Sequence, residues 1–424
     1  MYLKPQADPR RPASRDRTRA VRRRRTVAGV VVLALVAAGI ALASSGGSGS
    51  GGGASVPSFG GPGPASVLGQ DAPAQRSGQA SHAAAFTPAP AALSTAARLS
   101  LATQVAQLFL IGVNGTSTSS TAVARFASNG WGGAALSRTN FVSDSQIASL
   151  AGGISALAKS AANVPPLIAA SQEGGTDTAF PDLPPAGEAA IGASGNPATA
   201  QSQARLAGKQ LLALGVNMTF APLADVDVLG GVLSGRLFGT APRAVARFAA
   251  AAVSGYQSAG LISAAGHFPG SGAASADPDA MTATVGGTVP SLEQRDLVPF
   301  AAIAPTAPAI MMSNAAYAAF DGTTPAGLVP QVVQLLRDRY GFGGVVMTDD
   351  LDAALLSTGG SAGQAAVRAL QAGDDLLYIT GSTAEQLSAY HAVVSAVQAG
   401  QISHARIRDA LLHVLTLKAH YGLI

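Results

Sequence analysis

Eight short apolar runs recur between residues 93 and 424, and their spacing constrains the fold more than any other feature of the chain. They are Leu108–Ile111, Gly133–Leu136, Leu167–Ala170, Asn217–Phe220, Leu261–Ala264, Ala309–Met312, Gly344–Met347 and Leu376–Ile379. Between them lie segments such as 199–214, 243–259, 329–340 and 363–372, whose apolar residues return at helical spacing. Strand and helix in strict alternation predict an α/β fold with a parallel sheet, and eight such units predict a single (β/α)8 barrel of the TIM type. An open doubly wound sheet is the alternative, but it would gather its polar residues at one switch point. Here they follow nearly every run: Gln172 and Glu173, Asp225, His267, Asn314 and Asp349. A ring of polar residues beyond the strand ends is where a barrel carries its active site.

The segment ahead of the barrel has a different character. Residues 1–25 hold ten Lys or Arg against Asp8 and Asp16, which leaves 17 basic and 21 acidic residues in 26–424. The formal charge of +4 is therefore that of a basic cytoplasmic tail, and the remainder is faintly acidic. A charged fraction of 12% and a mean hydropathy of +0.29 exclude a nucleic-acid-coating or disordered chain. Thr26–Ala43 is uncharged and follows Arg22 to Arg25 directly, and its length approaches the ~20 residues of a bilayer span. Two forms fit residues 26–43: a transmembrane anchor, favoured by the length of the apolar core, and a signal peptide cut after Ala41-Leu42-Ala43. Both put everything beyond Ser44 outside the cell membrane, either tethered in a single pass with the N-terminus inside or secreted. Residues 44–92, rich in Gly, Ser, Pro and Ala, read as a disordered linker, with the folded domain over 93–424.

No cysteine is present, so disulfides, thiolate metal sites and a cysteine nucleophile are excluded. Chemistry must come from oxygen and imidazole groups. Asp349 and Asp350 end the strongest apolar run, where a carboxylate serves as nucleophile, base, ligand or cap of the following helix. His267-Phe-Pro-Gly-Ser-Gly272 places an imidazole at the barrel rim and predicts a mobile loop through Asp277-Pro278-Asp279. Gln172-Glu-Gly-Gly175 adds a carboxylate beside two glycines, and Asp225, Asp227 and Arg236 complete the polar set. No phosphate-binding glycine motif follows a strand, and no ligand cluster of the His-x-x-x-His kind calls for a metal.

Taken in order, Gln172-Glu-Gly-Gly175, Asn217-x-x-Phe-Ala-Pro-Leu-x-Asp225, Gly235-Arg-x-Phe-Gly239, His267-Phe-Pro-Gly-x-Gly272 and Gly341-Phe-Gly-Gly-Val-Val-x-Thr-Asp-Asp-Leu351 resemble the N-terminal barrel domain of glycoside hydrolase family 3. The resemblance covers nearly all of 95–424 and is to the single-domain bacterial β-N-acetylhexosaminidase branch. It implies retaining hydrolysis of β-linked N-acetylhexosamine glycans, such as cell-wall fragments, with no cofactor. It also implies Asp349 as nucleophile, and Arg236, His267, Glu173, Asp225 and Asn314 around the sugar.

The chain departs from that pattern in its acid/base loop. The Asp-Ser-His sequence of the branch reads Asp277-Pro278-Asp279 here, so Asp279 stands where the imidazole is expected. The family's Lys before the His is Gly266, its Asp before Gln-Glu-Gly-Gly is Ser171, and its Arg after that motif is Thr176. Its second loop His is Ser271, and its His after the sixth strand is Asn314. Two expectations follow. One is a membrane-tethered or secreted glycosidase using the Asp277/Asp279 pair as acid/base; the other is a wall-associated barrel that binds glycans without turnover.

Overall fold

The computed structural model describes residues 86–424. Residues 1–85, with the basic tail, the apolar run 26–43 and most of the expected linker, lie outside the described residues. Among the described residues, no helix is long and apolar enough to cross a membrane.

All eight apolar runs become strands: β1 (Phe109–Gly112), β2 (Gly133–Leu136), β3 (Leu167–Ala170), β4 (Met218–Thr219), β5 (Ile262–Phe268), β6 (Ala309–Met312), β7 (Val345–Met347) and β8 (Leu377–Ile379). They are parallel and lie in the order β7-β6-β5-β4-β3-β2-β1-β8. Phe109 of β1 pairs with Leu377 of β8, so the first strand meets the last and only the seam between β7 and β8 is left to close the ring. The remaining seam is closed by a single parallel bridge, Met347 to Leu376, with Thr348 N–H donating to the Leu376 carbonyl at 3.0 Å. The result is a nearly closed eight-stranded barrel. Most of its strands are buried on both faces, which is why they read as continuous apolar runs rather than alternating ones.

The intervening helices begin where the sequence supplies caps. Ser143, Ser361, Ser382 and Ser403 each accept a backbone N–H at the starts of helices Asp144–Ala162, Ala362–Ala372, Thr383–Gln398 and His404–His420. Helices Pro197–Ala213 and Pro242–Ala259 approach closely because two glycines line their contact. A Cβ on Gly208 would lie 2.7 Å from Ala259, and one on Gly255 would overlap the Gln201 carbonyl. These helices feed β4 and β5, whose ends carry Asp225 and His267.

Two segments differ from expectation. Packing begins before residue 93: Phe86 stacks on His413 with ring centroids 3.6 Å apart, and helix Pro90–Arg98 buries Ala92 and Ala96. Its alanines are too small to stand out against the linker composition. The helix expected over 329–340 is α-helical over Pro330–Gln334 and then a π turn over Leu335–Arg339. The wider turn carries Arg337, which donates to the carbonyls of Phe342 at 2.8 Å and Gly344 at 2.6 Å and bonds Asp375.

Candidate active site

At the C-terminal ends of the strands lies a cavity of about 220 Å³ lined by Ser171, Glu173, His267, Asp279, Asp349, Asp350 and Tyr378, with Phe220, Leu223, Ala264, Gly266, Met311 and Ala353. Pockets for drug-sized ligands span ~300–1,000 Å³, so this one encloses a single small unit rather than a stretch of polymer. A larger outer groove of about 510 Å³ near Ser361, Arg368 and Gln401 has no carboxylate or imidazole in its lining and offers no acid/base chemistry.

Asp349 follows β7 and is buried, with Oδ1 accepting the Asp350 N–H at 2.8 Å. Burial and the Asp279 charge push its pKa well above the usual carboxylate range, and the His267 charge opposes them. Asp350 performs the second job open to this pair. Its Oδ1 accepts the N–H groups of Asp352 at 3.1 Å and Thr380 at 2.9 Å, and the Thr380 hydroxyl bonds its other oxygen. It thus caps helix Leu351–Thr358 and ties β7 to β8.

His267 ends β5 with its Nδ1 2.9 Å from Asp225, a fully buried carboxylate. Burial disfavours the imidazolium, but Asp225 outweighs it and raises the pKa to about 10, so the ring is charged at neutral pH. Glu173 receives two bonds from Arg236 Nη2, at 3.0 and 2.9 Å, and Asp177 lies 3.5 Å from Arg236 Nε. Burial raises the pKa of Glu173 and Arg236 lowers it, leaving it above its usual value. Tyr378 stays neutral, because burial and the charges of Asp350, Asp349 and Asp279 push its hydroxyl well up.

The structure therefore brings together Asp349, Asp279, His267 and Glu173 as expected, and revises several other positions. Asp225 was expected to touch sugar, yet it has no exposed surface. One oxygen receives the His267 N–H at 3.1 Å and its Nδ1, and the other the Ser271 N–H at 2.5 Å. It positions His267 instead. Asn314 is likewise turned away from the cavity, donating Nδ2 to the Asp350 carbonyl at 2.9 Å. Asp277 does not line the cavity; its Oδ1 accepts the Asp279 N–H at 3.1 Å and shapes the turn. Arg236 reaches the cavity only through Glu173. Asp227 accepts the Ser234 hydroxyl at 2.7 Å within its own loop. The loop after His267 is pinned over its first half: Ser271 is buried against the Ser313 hydroxyl at 2.7 Å, and Tyr317 donates to the Gly270 carbonyl at 2.9 Å. Tyr378 was missed, since a lone tyrosine inside Leu376–Ile379 reads as core; its ring lies 4.9 Å from Phe220.

Among the described residues, Asp375, Asp409 and His413 bring ligand atoms within 4.8 Å of one another. They lie at the opposite end of the barrel from the cavity, before β8. Arg337 and Arg406 occupy both oxygens of Asp375, and Arg406 also bonds Asp409, so this is an ion-pair network unsuited to a cation.

The family model for the glycosyl hydrolase family 3 N terminal domain matches residues 100–417. A beta-hexosaminidase of Nitrosomonas eutropha is 34% identical over 289 residues, covering 65% of this chain and 82% of that protein. One from Stenotrophomonas maltophilia is 33% identical over 282 residues, covering 64% and 83%. Among solved structures, a family 3 β-N-acetylglucosaminidase from Paenibacillus superposes with a TM-score of 0.72 at 33% identity, covering 77% of this chain; this chain spans 63% of that one. A β-N-acetylhexosaminidase from Beutenbergia cavernae gives 0.69 at 30% identity, covering 77% and 99%. The chain belongs to glycoside hydrolase family 3, in its bacterial β-N-acetylhexosaminidase branch.

Proposed function

We propose that this glycoside hydrolase cleaves β-linked amino-sugar glycosides with retention, using Asp349 as nucleophile and Asp279 as acid/base. The observation that carries the reading is that both carboxylates line one cavity at the barrel's C-terminal face. Asp349 attacks the anomeric carbon, the glycosidic C–O bond breaks, and the leaving oxygen takes the proton of Asp279. Water then gives its proton to Asp279 while its oxygen attacks the same carbon and releases Asp349. His267, Glu173 and Tyr378 offer hydrogen bonds to the ring.

The proton inventory makes the acid step the weak one. Burial and the Asp279 charge favour the proton on Asp349, whereas catalysis needs it on Asp279. Positive charge developing at the anomeric carbon favours ionised Asp349. General acid/base catalysis supplies about 10²–10⁴-fold, so turnover should be slow where the leaving group needs protonation.

The test is a pair of aryl β-N-acetylglucosaminides with good and poor leaving groups. Asp279→Ala should slow the poor one far more than the good one, and Asp349→Ala should stop both. Equal loss on both substrates in Asp279→Ala removes it from the acid role. No cleavage by the wild-type protein of these substrates or of their 2-amino and glucose counterparts across about pH 4 to 8, with glycan binding retained, makes this a binding barrel instead.

The same proposal places the enzyme outside the cell membrane, acting on glycans such as those of the cell wall. Support comes from the arginines at 22–25 followed by the apolar run 26–43 and the Gly/Ser-rich residues after it. Protease added to intact cells should remove an anchored barrel; a protected barrel would overturn the placement.

A further inference from the structure

Six carboxylates, of Glu173, Asp177, Asp225, Asp279, Asp349 and Asp350, stand in the cavity or against its walls, with two cations, Arg236 and His267. Each cation already has a carboxylate partner. Arg236 is held by Glu173 at 2.9 Å and flanked by Asp177 at 3.5 Å, and His267 is held by Asp225 at 2.9 Å. Where the family resemblance implies a lysine and an arginine, the chain has Gly266, which lines the cavity, and Thr176. The site therefore carries a surplus of negative charge with no mobile cation of its own.

We infer that this surplus selects glycosides whose C2 substituent is a free ammonium, a de-N-acetylated amino sugar, over those with a neutral 2-acetamido group; the inference rests on the glycosidase reading above. C2 is bonded to the anomeric carbon that Asp349 attacks, so an ammonium there lies beside that carboxylate however the rest of the ring is turned. It supplies the positive charge that otherwise arrives as a proton on Asp349, and the nucleophile stays ionised. An acetamido nitrogen carries no charge and gives the surplus carboxylates one N–H at most.

The experiment compares aryl β-glycosides of 2-amino-2-deoxyglucose, 2-acetamido-2-deoxyglucose and glucose at about pH 6, where the sugar amine is protonated. The 2-amino substrate should exceed the other two in kcat/KM by roughly tenfold or more. A 2-acetamido substrate turned over equally well or better overturns the charge selection and leaves the glycosidase standing. If none is cleaved, the glycosidase reading falls, and calorimetry with the free sugars decides the selection: tighter binding of glucosamine than of N-acetylglucosamine upholds it, and equal or weaker binding overturns it. Gly266→Lys and Gly266→Met separate charge from bulk, since a Cβ at this position comes no nearer than 3.6 Å to Met311. The lysine variant should lose the preference and the methionine variant should keep it. Both losing it, or both keeping it, overturns the inference.

Discussion

Asp225→Asn removes one charge from the pair beneath the cavity and leaves the volume unchanged. In the wild type, Asp225 lifts the His267 pKa from 6.5 to about 10 against the opposing effect of burial. That gap corresponds to about 5 kcal/mol of preferential proton binding. Without that carboxylate, burial is opposed only by the lesser effects of Asp349 and Asp279, and the imidazole should titrate far below its wild-type value. Ring ¹H–¹³C NMR signals followed across the pH range read this directly. The wild-type ring should stay charged up to about pH 9, and the mutant ring should be neutral at pH 7. Stability gives a second readout with a definite sign. A raised folded-state pKa contributes stability that is whole below pH 6.5 and fades as pH climbs through about 10. The stability gap between wild type and Asp225→Asn should therefore be widest in acid and should close toward pH 10. The acid limb of kcat/KM should move to higher pH in the mutant, because neutral His267 no longer opposes the rise in the Asp349 pKa. A wild-type ring titrating near 6.5, or a mutant ring still charged at neutrality, would refute the coupling.

Other substitutions probe the scaffold around the site. Gly272→Ala would drive a Cβ into the Val226 carbonyl and should cost about 3 kcal/mol or more, whereas Gly266→Ala meets only Met311 at 3.6 Å and should cost under about 1 kcal/mol; denaturant midpoints compare them. Asp350→Ala removes the cap of helix Leu351–Thr358 and the bonds from Thr380, for a loss of about 2–3 kcal/mol in urea unfolding. Lys418 is buried, which lowers its pKa from 10.5 to about 7, so the native state gains stability from this group as pH rises between those values. Lys418→Met should abolish that gain, and stability curves measured at both ends of the range would show a parallel slope in the two proteins if the lysine is not buried as described.

Legibility varied with what each residue does. The strands were readable because burial on both faces leaves four-residue apolar runs with few interpretations. Asp349 was readable because a carboxylate directly after the strongest run has to emerge at the strand end. Asp225 and Asn314 occupy equivalent places in the pattern, yet one turns under His267 and the other turns to the Asp350 carbonyl. Sequence spacing fixes which end of a strand a residue leaves from, and side-chain direction depends on neighbours 42 and 36 positions away. Tyr378 shows the converse: its hydroxyl matters only because Asp349, Asp350 and Asp279 converge on it from other units. The start of packing at Phe86 was hidden because its partner, His413, belongs to the last helix.

That dependence on remote partners has a consequence for biogenesis. The barrel closes through β1 against β8, and Lys418 Nζ clamps the Gln107 side chain from 311 positions away. A ribosome releases the chain from its beginning, so two walls of the reactive hollow, Asp349 and Tyr378, are synthesised last and have no stable seat until the ring shuts. Polypeptides interrupted before residue 378 should thus be inert and prone to association through unpaired strand edges, and assembly should be governed by this late, distant union more than by any local helix.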